Sequence, residues 1–287
     1  MKKLFTILVA AVLGATSLVG LASCSNNDQS SKSSEKVKLI SVDLTNEDYA
    51  FALKGDNTTL QESFNAYLTE IKGNGEFDAI IAKYFENNGD KVGYTYVGDG
   101  SGSNAEGSTG EGKFVVATNA PFSPFEYVEN GKIYGVDMEI AAGYAEKHNL
   151  ELVIKNIDFD AILPSLDAGY ADIGMAGMTV TDDRAAYLFT DTYYKAHLNI
   201  IVATDNKDFD DCSTKEEVEN VLKGLSSKKI GYQTGTTAVD YVAEFTNITG
   251  KGYETAAIAV NDVINGNIYA VIVDNAPASA IVKSYNV

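Results

Sequence analysis

Two charged residues of this sequence have types and positions that suit the binding of a small polar molecule. Arg184 follows Thr181-Asp182-Asp183, a pattern that predicts the start of a helix. A guanidinium binds a carboxylate through two parallel hydrogen bonds, and the N–H groups of a helix start favour the same anion. Asp274 ends the predicted strand Ala270–Asp274, and ligands collect at the carboxyl ends of strands in open α/β sheets. Both residues also have a simpler interpretation: Arg184 could be a surface arginine, and Asp274 could cap the helix that follows it.

Other residue types leave little room for catalysis or metal binding. The only cysteines are Cys24 and Cys212, and there are two histidines, so neither a disulfide framework nor a zinc site is expected. Cys212 lies in a polar stretch without a nearby histidine and is interpreted as unreactive. A group of aspartates lacks the spacing and the glycine of an EF-hand and is interpreted as a solvated acidic turn: Asp205, Asp208, Asp210 and Asp211. We predict no catalytic residue, no metal and no cofactor.

The composition is that of a globular protein with one or two domains, since 287 residues with 45% in the hydrophobic class are too many for one small core. Lysine and arginine total 22 against 40 acidic residues, a formal net charge of -18. Such a surface would repel a phosphate backbone, so nucleic-acid binding is disfavoured.

Residues 1–23 are typical of an export signal, because Lys2 and Lys3 precede an apolar run. The run ends in Leu21-Ala22-Ser23-Cys24, which resembles the lipobox of bacterial lipoproteins. This resemblance implies that Cys24 becomes the acylated first residue after cleavage. Residues 24–36 are polar and are expected to form a tether. We therefore expect a protein held by lipid on the extracytoplasmic face of the cell membrane, with an ordinary secretory signal as the alternative.

Downstream of residue 112, patterns that predict strands alternate with patterns that predict helices. The predicted strands are residues 113–118, 151–155, 171–176, 195–203, 229–232 and 270–274, and the predicted helices are residues 136–148, 160–168, 213–223, 237–245 and 277–285. Ser213 and Glu216 have the spacing of a capping box. Two such series imply two α/β lobes with mostly parallel sheets.

The segment before residue 98 has a different organisation. Residues 37–44 and 49–53 are predicted strands, and two amphipathic helices follow. Residues 98–112 contain six glycines and three serines and are interpreted as a flexible linker that spans roughly 20 Å. The sequence GDGSGS within it lacks the third glycine of a phosphate-binding loop.

Several segments after Lys113 strongly resemble the extracellular solute-binding proteins that deliver amino acids to ABC importers. They are VATNAPFSPFEY at Val116, GKIYGVDMEIAAGYAEK at Gly131, DFDAILPSLDAGYADIGMAGMTVTDDR at Asp158, FTDTYY at Phe189, GYQTGTTAVDY at Gly231 and AVIVD at Ala270. Residues 44–85 look like the family's closing segment, a hinge strand and two terminal helices, but lie near the front of this chain. The resemblance implies a circularly permuted protein whose family ends are joined by residues 98–112. A truncated protein fused to an unrelated fragment is the alternative.

The resemblance also implies the architecture. The expected fold is an α/β, two-lobed, periplasmic-binding-protein-like fold of type II with two hinge strands. Lobe 1 would comprise residues 49–97 and 113–199, and lobe 2 would comprise residues 37–48 and 200–287. A monomer is expected.

By the same resemblance, the cleft between the lobes captures a free amino acid. Arg184 would bind the ligand carboxylate and Asp274 its ammonium, and because they belong to different lobes, binding and closure would be one event. Gly177 would offer a carbonyl and Thr179 a hydroxyl to the ligand ammonium. Thr236 and Thr237 would offer N–H groups to the ligand carboxylate. Phe122 and Phe159 would form walls of the pocket for the ligand side chain.

Two uncharged residues bear on specificity. Asn119 stands where relatives that bind glutamine or basic amino acids typically have aspartate, and Gln233 stands where some relatives have lysine. A neutral amide cannot balance a cationic ligand side chain in a desolvated pocket, so a neutral polar amino acid is expected. Asp160 is an acidic residue that could supply the missing charge instead.

Three functions are compatible with this resemblance. The first is a lipid-anchored receptor that hands an amino acid to an ABC permease and performs no chemistry. The second is an enzyme similar to cyclohexadienyl dehydratases, which would need a general acid that the sequence does not offer. The third is an extracellular sensor that binds an amino acid but serves no transporter.

Overall fold

Two five-stranded sheets form the framework of residues 35–100 and 112–286, the part of the chain that the computed structural model describes. These residues belong to one compact unit. The predicted signal peptide, the lipobox with Cys24, most of the tether and residues 101–111 of the linker lie outside the described residues.

The elements follow one another along the chain in mixed α/β order. The strands are β1 Val37–Ile40, β2 Glu47–Tyr49, β3 Ala52–Leu53, β4 Lys113–Thr118, β5 Tyr127–Glu129, β6 Lys132–Tyr134, β7 Glu151–Asn156, β8 Ile173–Gly174, β9 Leu188–Phe189, β10 Tyr194–Ala196, β11 Leu198–Ala203, β12 Lys229–Gln233, β13 Thr249–Tyr253 and β14 Ala270–Asp274. The helices are α1 Thr58–Asn74, α2 Glu76–Phe85, α3 Val136–Lys147, α4 Ile162–Asp167, α5 Lys215–Gly224, α6 Ala238–Ala243, α7 Ala256–Ile264 and α8 Asn275–Tyr285.

Each sheet is mixed, so the expectation of mostly parallel sheets was wrong. The lobe 1 sheet has the order β7-β4-β8-β3-β9, with β4 parallel to both its neighbours. The lobe 2 sheet has the order β1-β11-β14-β12-β13, with β12 parallel to both its neighbours. The antiparallel pairs arise because β3 and β11, which follow the two passages of the chain from one sheet to the other, run against both of their neighbours.

The chain passes between the two sheets twice within the described residues. One passage contains β2 and the other contains β10, and these two strands pair with each other, with Tyr49 opposite Tyr194. Since they form a two-stranded sheet of their own, separate from both five-stranded sheets, they are the two hinge strands that the resemblance implied.

Local sequence explains where the helices begin and end. Asn57 caps α1 by accepting a hydrogen bond from the Leu60 N–H, and Gly75, in the left-handed region, separates α1 from α2. The capping box of α5 consists of Thr214 and Glu217, one residue later than the predicted pair, Ser213 and Glu216. The Glu217 carboxylate also accepts the Ser213 N–H, at 2.7 Å.

The core of lobe 1 combines residues from the front of the chain with residues after the linker. The Phe64 ring of α1 lies 4.6 Å from the Tyr144 ring of α3 and 6.1 Å from the Phe114 ring of β4, measured between centroids. In lobe 2, apolar side chains cover both faces of the sheet, with Ile200 in one cluster and Ile201 in the other. Alternating strand residues therefore bury both faces, as expected for a sheet between helices.

Several predicted elements were too long, and several observed elements were not predicted. The predicted strand 171–176 contains only β8, and the predicted strand 195–203 is divided into β10 and β11. The hairpin of β5 and β6, the edge strand β13 and helix α7 were not predicted. Arg184 does not start a helix, because residues Asp182–Arg184 form a single 3-10 turn.

Candidate functional site

The two lobes enclose a small cavity between them, and its lining matches the predicted site. The cavity has a volume of about 10 Å³, roughly the room that one water molecule needs. Its lining comprises Phe122, Phe159, Gly177, Thr179, Arg184, Gln233, Thr236, Thr237 and Asp274. The tenth predicted residue, Asn119, is joined to Gln233 by a hydrogen bond of 2.7 Å. The structure thus brings all ten predicted residues together from both lobes.

Arg184 connects the two lobes directly. Its Nη1 donates to the Thr179 carbonyl at 2.6 Å within lobe 1, and its Nη2 donates to the Gly235 carbonyl of lobe 2 at 2.9 Å. The guanidinium carbon lies 5.9 Å from the centroid of the Phe159 ring, a cation–π distance. The residue is only 7% exposed, which rules out the surface arginine interpretation.

Arg184 is also the only arginine in the sequence, and the other basic residues are lysines. A lysine would supply the same charge but not the planar fork of donors that matches a carboxylate. Burial lowers the pKa of Arg184, and the charges of Asp183 and Glu47 oppose this effect. The sequence suggested that a helix dipole would favour an anion near Arg184. The structure has only a 3-10 turn of three residues there, which is too short to produce a helix dipole.

Asp274 lies at the carboxyl end of β14 and is 6% exposed. Asp274 occupies the N-cap position of α8, but its side chain makes no capping hydrogen bond. Burial raises the pKa of Asp274 to about 7, the charge of Glu47 adds to the rise, and Arg184 opposes it. The carboxyl group is therefore poised to release its proton when a cation is placed beside it.

Asn119 and Gln233 form an uncharged bridge across the cleft. The Gln233 Nε2 donates to the Asn119 Oδ1, while the Asn119 Nδ2 donates to the Ile157 carbonyl at 2.6 Å. Both residues are buried. Because Ile157 holds the amide nitrogen, the amide oxygen of Asn119 is directed towards lobe 2.

Gly177 is fixed by its backbone and by its neighbours. Its φ of +52° is in the left-handed region, and a Cβ atom there would lie 2.6 Å from the Phe122 ring. Its N–H donates to the Asp137 Oδ2 at 3.1 Å, and the Tyr193 hydroxyl donates to the other carboxylate oxygen at 2.7 Å. Sequence reasoning missed Asp137, although it lies in the quoted GVDME segment.

Two further residues next to the site were also missed. The Tyr49 side chain is completely buried, packs 6.4 Å from the Phe122 ring between centroids, and places its hydroxyl near Asp274 without a hydrogen bond of standard geometry. Glu47 is 4% exposed and close enough to influence both Arg184 and Asp274. Both lie on hinge strand β2, far from the other site residues in sequence, so no local pattern could have identified them.

Acidic residues surround a second, open cavity of about 300 Å³ next to Phe159. Asp158 and Asp160 come from lobe 1, and Glu254 comes from lobe 2. This acidic mouth adjoins the site through Phe159, which lines both cavities.

The residues that sequence analysis considered and set aside lie elsewhere. Burial raises the pKa of the Cys212 thiol, which makes it a poorer nucleophile. Asp210 pairs with Lys38 and Lys207, and Asp208 accepts a hydrogen bond from Tyr269. Residues 35–100 and 112–286 contain no group of three His, Cys, Asp or Glu residues arranged to hold a metal ion.

This arrangement can bind a small dipolar molecule. A fork of donors and a carboxyl group line one enclosed space, so a ligand with a carboxylate and an ammonium would satisfy both. A free amino acid is larger than the cavity, so the lobes have to move apart around the hinge strands to admit it. The Arg184–Gly235 and Gln233–Asn119 hydrogen bonds join the two lobes across this cavity.

Fold and site together define a two-lobed binding protein of the type II periplasmic class. The profile of the bacterial extracellular solute-binding proteins, family 3, matches residues 114–268, which is more than half of the chain. The chain belongs to this family. The family is one of binding proteins, and none of the relatives reported below is named as an enzyme.

Individual relatives support the assignment. The arginine-binding extracellular protein ArtP of Bacillus subtilis is 32% identical over 135 residues, which cover 47% of this chain and 49% of ArtP. ArgBP from T. maritima, solved in a truncated form with arginine bound, is 30% identical with a TM-score of 0.54 and covers 60% of this chain and 78% of its own. An ancestral arginine-binding protein bound to glutamine is 33% identical with a TM-score of 0.54, covering 61% of this chain and 75% of its own. The chain thus spans about half the length of the curated relative that it matches here.

No helix in the described ranges, 35–100 and 112–286, is both long and apolar enough to cross a bilayer.

Proposed function

We propose that this protein is a lipid-anchored receptor that captures a free amino acid between its lobes and delivers it to an ABC permease. The observation that carries the proposal is the shared cavity of Arg184 and Asp274, to which each lobe contributes one of the two charges. Membership of the solute-binding family and the arginine-binding relatives support the transport role. The lipid anchor rests on the Leu21-Ala22-Ser23-Cys24 motif.

We infer a neutral polar amino acid as the ligand. Asn119 and Gln233 face each other where the side chain of a bound amino acid would lie, and neither can neutralise a cation. A ligand amide could replace the bond between them, because it both donates and accepts hydrogen bonds. The ancestral relative solved with glutamine is consistent with such a ligand.

Arginine is the second candidate, and a specific observation favours it. The acidic mouth of Asp158, Asp160 and Glu254 adjoins the site beyond Phe159, where a long cationic side chain could reach it. A thermal-shift screen of the twenty amino acids separates the two candidates, because the ligand bound only by the folded state raises the melting temperature. A larger rise with glutamine or a similar neutral residue supports the first candidate, and a larger rise with arginine supports the second.

Replacing Arg184 tests the site itself. The substitution Arg184→Ala should weaken binding of the best amino acid by roughly 2–5 kcal/mol, because it leaves a buried ligand carboxylate unpaired. Arg184→Lys should also lose affinity, since the fork geometry is lost while the charge remains. Isothermal titration calorimetry measures both, with Lys54→Ala at an exposed position as the control. Unchanged affinity in Arg184→Ala would exclude the proposed site.

Delivery to a permease has its own test. Deletion of the gene should lower uptake of the amino acid that gives the largest thermal shift. A sensor that serves no transporter would bind the same ligand, but its loss would leave uptake unchanged.

We further propose that the chain is circularly permuted. The family match begins after the linker, whereas residues 37–85 contribute β1, β3, α1 and α2 to the two lobes. On this proposal, lobe 1 comprises residues 49–97 and 113–199, and lobe 2 comprises residues 37–48 and 200–287.

A further inference from the structure

The chain that follows α2 runs along the outer edge of the lobe 1 sheet. We call residues 92–100 the strap. Tyr94 exchanges two backbone hydrogen bonds with Ile133, at 2.8 and 3.0 Å. Val97 then pairs with β7: its N–H donates to the Ile154 carbonyl at 2.9 Å, and its carbonyl accepts from the Asn156 N–H at 2.8 Å. The strap therefore extends the lobe 1 sheet beyond β7.

The end of the strap reaches the residues behind the cleft. The Gly100 N–H donates to the Asn156 carbonyl at 3.2 Å, and the Gly100 carbonyl accepts from the Asn119 Nδ2 at 3.4 Å. The Asn156 Oδ1 in turn accepts from the Ala120 N–H at 2.9 Å. A continuous series of hydrogen bonds thus leads from the strap to the amide of Asn119, and from there across the cleft to Gln233.

The close contact between the strap and Asn156 of β7 requires glycine at positions 98 and 100. Gly98 has a φ of +88°, and a Cβ atom at this position would lie 2.2 Å from the Asn156 carbonyl oxygen. Gly100 has the same φ of +88°, and a Cβ atom there would lie 3.2 Å from the Asn156 Nδ2. Real carbon–oxygen contacts are not this short, so any side chain at Gly98 would push the strap away from β7.

We propose that the strap is a positioning element that, together with the Ile157 carbonyl, fixes the orientation of Asn119 and so sets the ligand specificity of the cleft. This inference rests on the proposed function, and the strap itself lies outside the family match of 114–268. Asn119 held in this way presents an acceptor to the cleft. A guanidinium can only donate hydrogen bonds, whereas a glutamine amide donates and accepts, so arginine depends on that fixed acceptor more than glutamine does.

Glycine-to-alanine substitutions at matched backbone positions test the proposal. Gly98→Ala introduces both the unfavourable φ and the clash with Asn156, whereas Gly112→Ala has a similar φ of +78° with no atom within 4 Å of the new Cβ. Gly100→Ala is a milder variant, in case Gly98→Ala does not fold. Calorimetry with glutamine and with arginine gives the affinity of each variant.

The ratio of the two affinities is the informative quantity. We expect Gly98→Ala to weaken arginine binding at least fivefold more than glutamine binding, and Gly100→Ala to change the ratio in the same direction by a smaller factor. Gly112→Ala should keep the wild-type ratio within twofold. General structural damage would lower both affinities by the same factor, and an equal loss in Gly98→Ala would overturn the proposal.

A measurement without ligand separates this inference from the proposed function. Hydrogen exchange of the Ala120 amide should be at least tenfold faster in Gly98→Ala than in Gly112→Ala, because the strap holds Asn156 and Asn156 holds that amide. If the wild-type protein binds no amino acid, the proposed function fails, while this exchange rate still tests whether the strap positions the residues behind the cleft. Equal protection of Ala120 in the two variants would show that the strap positions nothing.

Discussion

The cleft holds two ionisable groups away from water, and each changes the state of the other. Arg184 and Asp274 line the same cavity, and burial disfavours the charged form of both. A zwitterionic ligand would supply each with a partner of opposite charge in that same space. The energy that desolvation costs the unliganded site is therefore recovered only when a ligand with both charges is present.

The raised pKa of Asp274 predicts how stability depends on pH. Burial raises the pKa of Asp274 from 3.8 to about 7 in the folded protein, so between about pH 4 and pH 7 the folded state binds a proton that the unfolded state has lost. The free energy of unfolding should therefore fall as pH rises through this window, and the loss should be complete above about pH 7. Burial raises the pKa of Asp137 to about 7 as well, so its contribution has the same sign.

A single substitution isolates the contribution of Asp274. Asp274→Asn removes the titrating group, so the difference in unfolding free energy between pH 5 and pH 8 should shrink by about 3 kcal/mol relative to wild type. Denaturant unfolding of the unliganded proteins at the two pH values measures this difference. Identical pH dependence in the two proteins would contradict the expected ionisation behaviour.

The family resemblance named ten residues that line or adjoin one cavity, and their role in binding a ligand stays a prediction. The ten predicted residues meet in one place because each lies in a segment that resembles the family, and segments of similar sequence adopt similar positions in the fold. Tyr49, Glu47 and Asp137 were missed, since their proximity to the site depends on contacts between distant parts of the chain. The predicted helix start at Arg184 was wrong because a capping pattern alone cannot distinguish one turn from a full helix.

Helices from the front of the chain are integral parts of lobe 1. Phe64 on α1 contacts Phe51 at 5.5 Å between ring centroids, and it also packs on Phe114 and Tyr144, which lie after the linker. If residues 37–97 were an unrelated fragment, their removal from this core would have little effect. The packing instead makes them part of one folding unit.

Truncation of Phe64 tests this packing. Phe64→Ala should lower the free energy of unfolding by about 3–5 kcal/mol, because it removes a fully buried aromatic ring and leaves a cavity. Glu62→Ala, on the exposed side of the same helix, should change it by no more than about 0.5 kcal/mol. Urea unfolding measures both, and a loss in Phe64→Ala no larger than that in Glu62→Ala would argue against a shared core.

Element prediction succeeded where apolar patterns were long and failed where strands were short or rich in glycine. Strand β4 has the predicted bounds, and α1 and α2 are the two amphipathic helices expected after residue 53, with their apolar stripes mostly buried. Strand β13 has the sequence TGKGY and lies at the edge of its sheet, so it carries no alternating pattern. Strands β3, β8 and β9 have two residues each, and only their partners define them as strands.

At the scale of the whole molecule, the described ends on either side of the linker lie at opposite ends of β7. Gly112 accepts a backbone hydrogen bond from Glu151, the first residue of β7, and Gly100 donates to Asn156, the last. A strand of this length spans roughly 17 Å. The spacing is comparable to the roughly 20 Å expected for a flexible chain of the linker's length, which supports the proposed joining of the family's ends.

Cleavage within residues 101–111 tests the permutation. A protease site introduced there should yield two fragments that stay associated and keep amino-acid affinity within about threefold, because β1, β3, α1 and α2 pack against elements on the other side of the cut. Size-exclusion chromatography followed by calorimetry measures both properties. Fragments that separate and lose ligand affinity would contradict the circular permutation.

The position of β1 in its sheet has a consequence for synthesis. Val37 of β1 pairs with Ala203 of β11. Strand β1 is therefore synthesised long before β11, because more than half of the chain separates the two strands. Helices α1 and α2 likewise emerge with their apolar faces uncovered until β4 and α3 have been made. Contacts between residues so far apart in sequence slow folding and leave apolar surface exposed to aggregation in the meantime. The front segment can therefore complete its packing only after the elements that follow the linker have been made.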